Sequence, residues 1–222
     1  MKPKKKTKLV SHLKMVLTKL PKTDAKVRDR LGGSPNQWSE EEPWPVCGYC
    51  NEPLHFVLQL RGEGSGGRAK IGKASCLQLF VCHGEGDCEF YELGSKGNHV
   101  ALRKKPLKAV LAKRPGGDKS SVANDPLRVA HGVTFKEGAD DPEALEDYDD
   151  EARQTKAHRN GFTDKLYGVP VAANQPDDDL ECSKCEGPMA FLGQILSADD
   201  WFIYYLHACK KGHEVAFHAQ RA

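Results

Sequence analysis

The sequence predicts an α+β fold, mostly antiparallel β, built as two tandem pseudo-repeats that each carry a zinc-ribbon-like site. Three observations predict it. The chain aligns with itself, without a gap, after a shift of 135 residues. Each aligned stretch holds a Cys-x-x-Cys pair followed by an apolar run of strand length, and a second apolar run returns to a further cysteine. Ahead of the first stretch, apolar residues fall at helical spacing.

The N-terminal element comes first. Leu9, Leu13, Val16, Leu17 and Leu20 recur at the spacing of one helix face, with Lys on the other face, and Pro21 stops the pattern. Residues 1–26 therefore read as a basic amphipathic helix, docked on the protein's own surface. The first repeat spans 27–100, a charged linker 101–159, and the second repeat 160–222. Two further short helices are expected, near 101–113 and near 142–156. Residues 115–142, rich in Gly, Asp and Pro, read as an exposed connection.

The repeat is explicit between 29 and 60. Asp29, Leu31, Gly33, Pro35, Cys47, Cys50, Pro53, Phe56 and Gln59 meet Asp164, Leu166, Gly168, Pro170, Cys182, Cys185, Pro188, Phe191 and Gln194. Nine identities over that span, with several like-for-like exchanges, are hard to credit to chance. The copies then differ. The first inserts Arg61–Arg68, a glycine-rich loop, before Leu77–Cys82, and the second crosses more directly to Tyr204–Cys209. One more potential ligand follows each returning cysteine, Cys88 in the first copy and His213 in the second.

This spacing suits metal. Cys-x-x-Cys lets one tight turn aim two sulfurs at an ion, and structural zinc takes four tetrahedral ligands of this kind. Site one is assigned to Cys47, Cys50, Cys82 and Cys88, and site two to Cys182, Cys185, Cys209 and His213, so the cofactor expected is two structural Zn2+ ions. Cys76 aligns with the apolar Ile203 and reads as a buried hydrophobe, with a lesser reading as a site-one ligand in place of Cys88. His83 and His207 are the next candidates after these. Lys184, Lys210 and Lys211 stand ready to offset the charge of site two; site one must rely on backbone amides.

Composition narrows the function classes. Net charge is only +2, yet the first thirty residues hold nine Lys, and an acidic run extends from Glu137 to Glu151. Such blocks are solvated faces or interaction tails. No apolar run is long enough to span a bilayer, and the basic N-terminus lacks the continuous apolar stretch of a secretory signal. Eight cysteines without such a signal imply a reducing, cytoplasmic setting, where Cys-x-x-Cys pairs serve as metal ligands or redox groups. The pairs here precede strands, whereas a thioredoxin-like pair opens a helix. There is no G-x-S-x-G turn, phosphate-binding loop or His-Glu-x-x-His.

Trp44-Pro-Val-Cys47 through Cys50 to Phe56 and Gln59, together with Leu31-Gly-Gly-Ser-Pro35 and the closing Leu206-His-Ala-Cys209 to Gln220, resembles the YwqG-like family of bacterial proteins of unknown function. Leu79-Phe-Val-Cys82 to Cys88 is similar to the zinc-binding half of programmed cell death protein 2. The resemblance covers roughly residues 27–92 and 160–220. It implies a β-rich, duplicated architecture and no known reaction; the eukaryotic relatives look like escorts of a newly made ribosomal protein. The chain departs from the family in its basic N-terminus and its long charged middle.

The expected function is thus non-enzymatic: a zinc-binding module for protein–protein interaction, chaperone-like in its action, with an unidentified protein partner. A basic partner suits the acidic run. A nucleic-acid-binding zinc ribbon is the second reading, disfavoured because the Lys-rich stretches lack interleaved aromatics for base stacking and the pI is only about 8.1. A toxin-neutralising immunity protein is a third. No membrane role is expected.

Overall fold

The computed structural model describes residues 8–39, 42–82, 88–89, 91–116, 129–140, 164–170, 180–196 and 202–221. Ten strands form one sheet: β1 Val10–Lys19, β2 Arg30–Leu31, β3 His55–Arg61, β4 Cys76–Val81, β5 Asn98–Arg103, β6 His131–Asp140, β7 Lys165–Tyr167, β8 Met189–Leu196, β9 Phe202–Cys209 and β10 Val215–Arg221. Their order is β10-β9-β8-β7-β1-β6-β2-β3-β4-β5, every pair antiparallel. The two edges approach each other, and the Ala219 N–H of β10 donates to the Tyr91 carbonyl ahead of β5 at 2.9 Å. The sheet thus curls into a nearly closed barrel, which brings its two edge strands together.

The α+β expectation is therefore corrected to all-β. Among the described residues the only helical turn is a short 3-10 segment at Glu63–Ser65. The expected N-terminal helix is strand β1. Its apolar residues carry two periods, because Leu13, Met15 and Leu17 alternate while Leu9, Leu13, Val16, Leu17 and Leu20 recur at helical spacing. Pairing decides between them: all ten residues of β1 register against β6, from Val10↔Asp140 to Lys19↔His131. As a strand it buries one residue on each face, Met15 in the core and His12 on the other side. Burying Met15 alone contributes about 1.5–3 kcal/mol.

The helix expected near 101–113 is likewise absent. Residues up to Arg103 belong to β5, and the following chain lies extended, bridged at Leu111 to Asn36. The helix expected near 142–156 lies outside the described residues. Of the connection expected over 115–142, residues 131–140 are instead the central strand β6. Glycines at 132 and 138 weaken its local strand signal, and the ten partners on β1 supply what local propensity lacks.

One hydrophobic core fills the barrel. It joins Val57, Leu60 and Leu79 of the first half to Leu192, Ile195, Leu206 and Phe217 of the second. Two satellite clusters lie outside it, each gathered around one set of cysteines. Local features recur at positions 135 apart. A β-bulge interrupts β3 between Phe56 and Leu58, and β8 between Phe191 and Gly193. The Asp29 carboxylate accepts the Arg61 N–H, as that of Asp164 accepts the Leu196 N–H.

Backbone bonds of those two aspartates cross between the halves. The Asp29 carbonyl accepts the Val133 N–H and the Asp164 carbonyl accepts the Met15 N–H, both at 2.9 Å. So β1 lies against β7 and β6 against β2, and the ribbon of β1 and β6 stitches the halves together. The same seam holds a buried polar cluster. The Lys165 Nζ donates to Asp140 Oδ2 at 2.7 Å, and His12 Nδ1 sits 3.0 Å from Asp140 Oδ1. The Val169 N–H also donates to Asp140.

Candidate metal centres

Each cysteine set is built by a turn entering a hairpin and a segment leaving it. In the first, the turn at Cys47–Cys50 precedes β3. The Cys47 N–H donates to the Glu52 carbonyl (2.8 Å), the Asn51 N–H to the Cys47 carbonyl (2.9 Å), and Val46 bridges Pro53. In the second, the Cys182 N–H donates to the Gly187 carbonyl (2.9 Å), the Glu186 N–H to the Cys182 carbonyl (2.8 Å), and Glu181 bridges Pro188. Both turns close through a left-handed residue, Asn51 at φ 59° and Glu186 at φ 53°. Asn tolerates that region better than Glu.

The structure brings together all eight predicted residues in two groups of four. In Cys47, Cys50, Cys82 and Cys88, and again in Cys182, Cys185, Cys209 and His213, every potential ligand atom lies within 4.8 Å of every other. Cys50 Sγ is 3.7 Å from Cys82 Sγ, and Cys185 Sγ is 3.7 Å from Cys209 Sγ. A disulfide needs about 2.05 Å. A tetrahedron with about 2.3 Å bonds to sulfur has an edge of about 3.8 Å, so the sulfur pairs already stand at the edge length of a tetrahedral thiolate site. His213 Nδ1 lies 3.8 Å from Cys182 Sγ. These groups can hold metal ions. Thiolate and imidazole donors suit zinc better than harder cations such as Mg2+ or Ca2+.

The electrostatics favour anionic sulfur in parts of each group. At Cys209 the backbone N–H of His213, helped by that of Lys211, brings the thiol down to about 7. Burial opposes this at Cys47, but amide donation from Cys50 and Tyr49 outweighs it and lowers the thiol; the Tyr49 N–H lies 3.4 Å from Cys47 Sγ. Cys182 goes the other way, pushed up to about 11 by burial and by its neighbouring thiols. Amide-to-sulfur donation of this kind both orients a ligand and tunes its basicity.

Two features at the second group have no counterpart in the cysteine spacing. Glu214 accepts from the Ser183 N–H (2.6 Å) and from Ser183 Oγ (2.7 Å), tying the returning segment to the entering turn. The Lys184 ammonium reaches the His213 carbonyl at 3.4 Å. The segment that follows the glycine-rich insert also leans on this group. Gly72 packs so closely on Gly212 that an added Cβ would lie 2.5 Å from the Gly212 Cα. Tyr167 Oη accepts the Lys70 N–H and donates to the Arg68 carbonyl, anchoring the insert to β7.

The remaining sequence candidates sit apart. Cys76 is buried away from both groups, and burial raises its thiol. His207 stacks on His218 and meets Phe191 edge-on, on the outer face of β9. His83 lies outside the described residues. Of the charged middle, Glu137 and Asp140 fall in β6, and residues 141–151 lie outside the described residues. No helix among those described is long and apolar enough to cross a membrane. No protein-family model matches the chain, and no curated protein is significantly similar to it.

Proposed function

We propose that the protein is a non-enzymatic, two-zinc β module that acts by binding another protein. The observation that carries this reading is the 3.7 Å sulfur spacing found in both groups. Each group offers four protein ligands, which closes a tetrahedral ion and leaves no position for water or substrate. Catalytic zinc keeps such a position open. The recurring bonds 135 residues apart support a duplicated zinc-ribbon-like unit, and the free thiols fit a reducing, cytoplasmic setting. The YwqG-like resemblance accords with a β-rich duplication and adds no reaction. Escort of a basic protein is the chaperone-like form of the role.

Elemental analysis of protein purified without added metal tests the reading. Two zinc ions per chain are expected. Substitution by Co2+ should give tetrahedral spectra, with one more thiolate at the first group than at the second. Near-zero metal, or an exchangeable water on the bound ion, refutes it.

A further inference from the structure

The glycine-rich insert Arg61–Arg68 supplies no residue to either cysteine group. It carries the chain from β3 across to the second half. There Tyr167 Oη accepts the Lys70 N–H at 2.6 Å and donates to the Arg68 carbonyl at 2.9 Å, and Gly72 meets Gly212. Held in this way, residues 69–72 roof a cavity of about 460 Å3 between the start of β8 and the end of β9. Small-molecule sites commonly enclose about 300–1,000 Å3. The hollow comes from small side chains. Ala190 and Ala208 pair across β8 and β9 beneath the roof. At the matching positions of β3 and β4 the first half pairs His55 with Val81. The same hairpin accepts larger side chains there, so the fold does not demand alanine. Leu192, Ala69 and Ile71, each buried, complete the apolar walls.

Among the described residues three charged side chains line the cavity: Lys70, Lys210 and Glu63, all exposed at its rim. Lys70 Nζ stands 5.9 Å from the centre of the Tyr167 ring, which forms part of the wall. The nearby carboxylates Glu181, Glu186 and Glu214 are not part of the wall, and Glu214 is engaged by Ser183. Two ammonium groups against one carboxylate leave the rim positive over an apolar floor. We propose that this cavity binds a small organic monoanion, a carboxylate carrying an apolar chain, with the chain on Ala190, Leu192 and Ala208 and the carboxylate at Lys70 and Lys210. A cation would meet both lysines, and a second negative charge would meet Glu63. Burying the chain releases water from the floor, while the rim keeps the charged end near solvent. This site does not depend on the interaction-module reading.

Titration of the full chain, followed by 1H–15N NMR, tests the site with octanoate, octylammonium and octanedioate. Octanoate should bind saturably, with the largest shifts at residues 69–72, 190–192 and 208–210. The other two should bind about tenfold more weakly or worse. Lys70→Gln with Lys210→Gln removes both rim cations without touching the core. It should weaken octanoate about tenfold and bring octylammonium level with it. Lys184→Gln removes a lysine that does not line the cavity and should leave octanoate within about twofold. Glu63→Gln should raise octanedioate towards octanoate. Ala208→Val supplies the first half's residue and should weaken octanoate by filling the floor; the exposed rim variants decide the matter should that core variant fold poorly. The proposal is overturned if octanoate gives no saturable shifts at those residues, or if octylammonium binds the wild type equally well. A Lys184→Gln loss as large as that of the Lys70 and Lys210 pair overturns it too, since general surface charge would then account for binding.

Discussion

Replacing Lys165 by Met would expose how the two halves are joined. The Lys165 ammonium and the Asp140 carboxylate are each 1% exposed and 2.7 Å apart. Removing the cation leaves a buried carboxylate with only the Val169 N–H and the His12 ring for support. Breaking a buried pair by deleting one partner costs about 3–5 kcal/mol. With a urea slope of about 3 kcal/mol per molar, at the upper end for small domains, the midpoint should fall by about 1–2 M. The assay is equilibrium urea unfolding of the full chain, followed by far-UV circular dichroism. Lys165→Met combined with Asp140→Asn removes the orphaned charge as well. It should cost less than the sum of the two single variants by about 1–3 kcal/mol. A single variant costing under about 1 kcal/mol, or a double variant costing the full sum, would refute the claim that this pair locks β6 to β7.

Three further outcomes follow from the packing of His12, Gly72 and Cys209. Burial lowers the pKa of His12 in the fold, with Asp140 opposing that shift, so the folded protein takes its proton at lower pH than the unfolded chain. The stability it allows is complete above about pH 6.5 and is lost as pH falls toward the folded value; His12→Asn should flatten that segment of the stability–pH curve relative to wild type. Gly72→Ala meets Gly212 at 2.5 Å from a φ of +63°, which should cost about 1–3 kcal/mol in thermal unfolding and speed release of metal from the second group while sparing the first. Cys209→Ser removes one donor from the second group, and elemental analysis should fall from two ions to one, with the first group still loaded.

The parts legible in the sequence are those that short-range geometry controls. Cys-x-x-Cys is a turn whose sulfurs must point the same way, so Cys47 with Cys50 and Cys182 with Cys185 could be paired on spacing alone. The apolar runs that became β3, β4, β8 and β9 carry their strand signal within seven or eight residues or fewer. What each returning cysteine meets could also be read, because a hairpin brings its own ends together. Glu214 stood next to His213 in the sequence, but nothing in the spacing said that it would clasp Ser183.

The rest was decided by partners distant in the chain. Residues 10–19 satisfy helix and strand periods equally, and residues 131–140 carry glycines and charges that read as a loop. Each became a central strand because the other lay in register beside it, about 120 residues away. Strand pairing draws its hydrogen bonds from another segment, whereas a helix draws them from its own, so the sequence alone determined the cysteine turns and their hairpins. Tertiary structure alone closed the barrel, exchanged β1 and β6 between the halves, and buried Lys165, Asp140 and His12 where they meet.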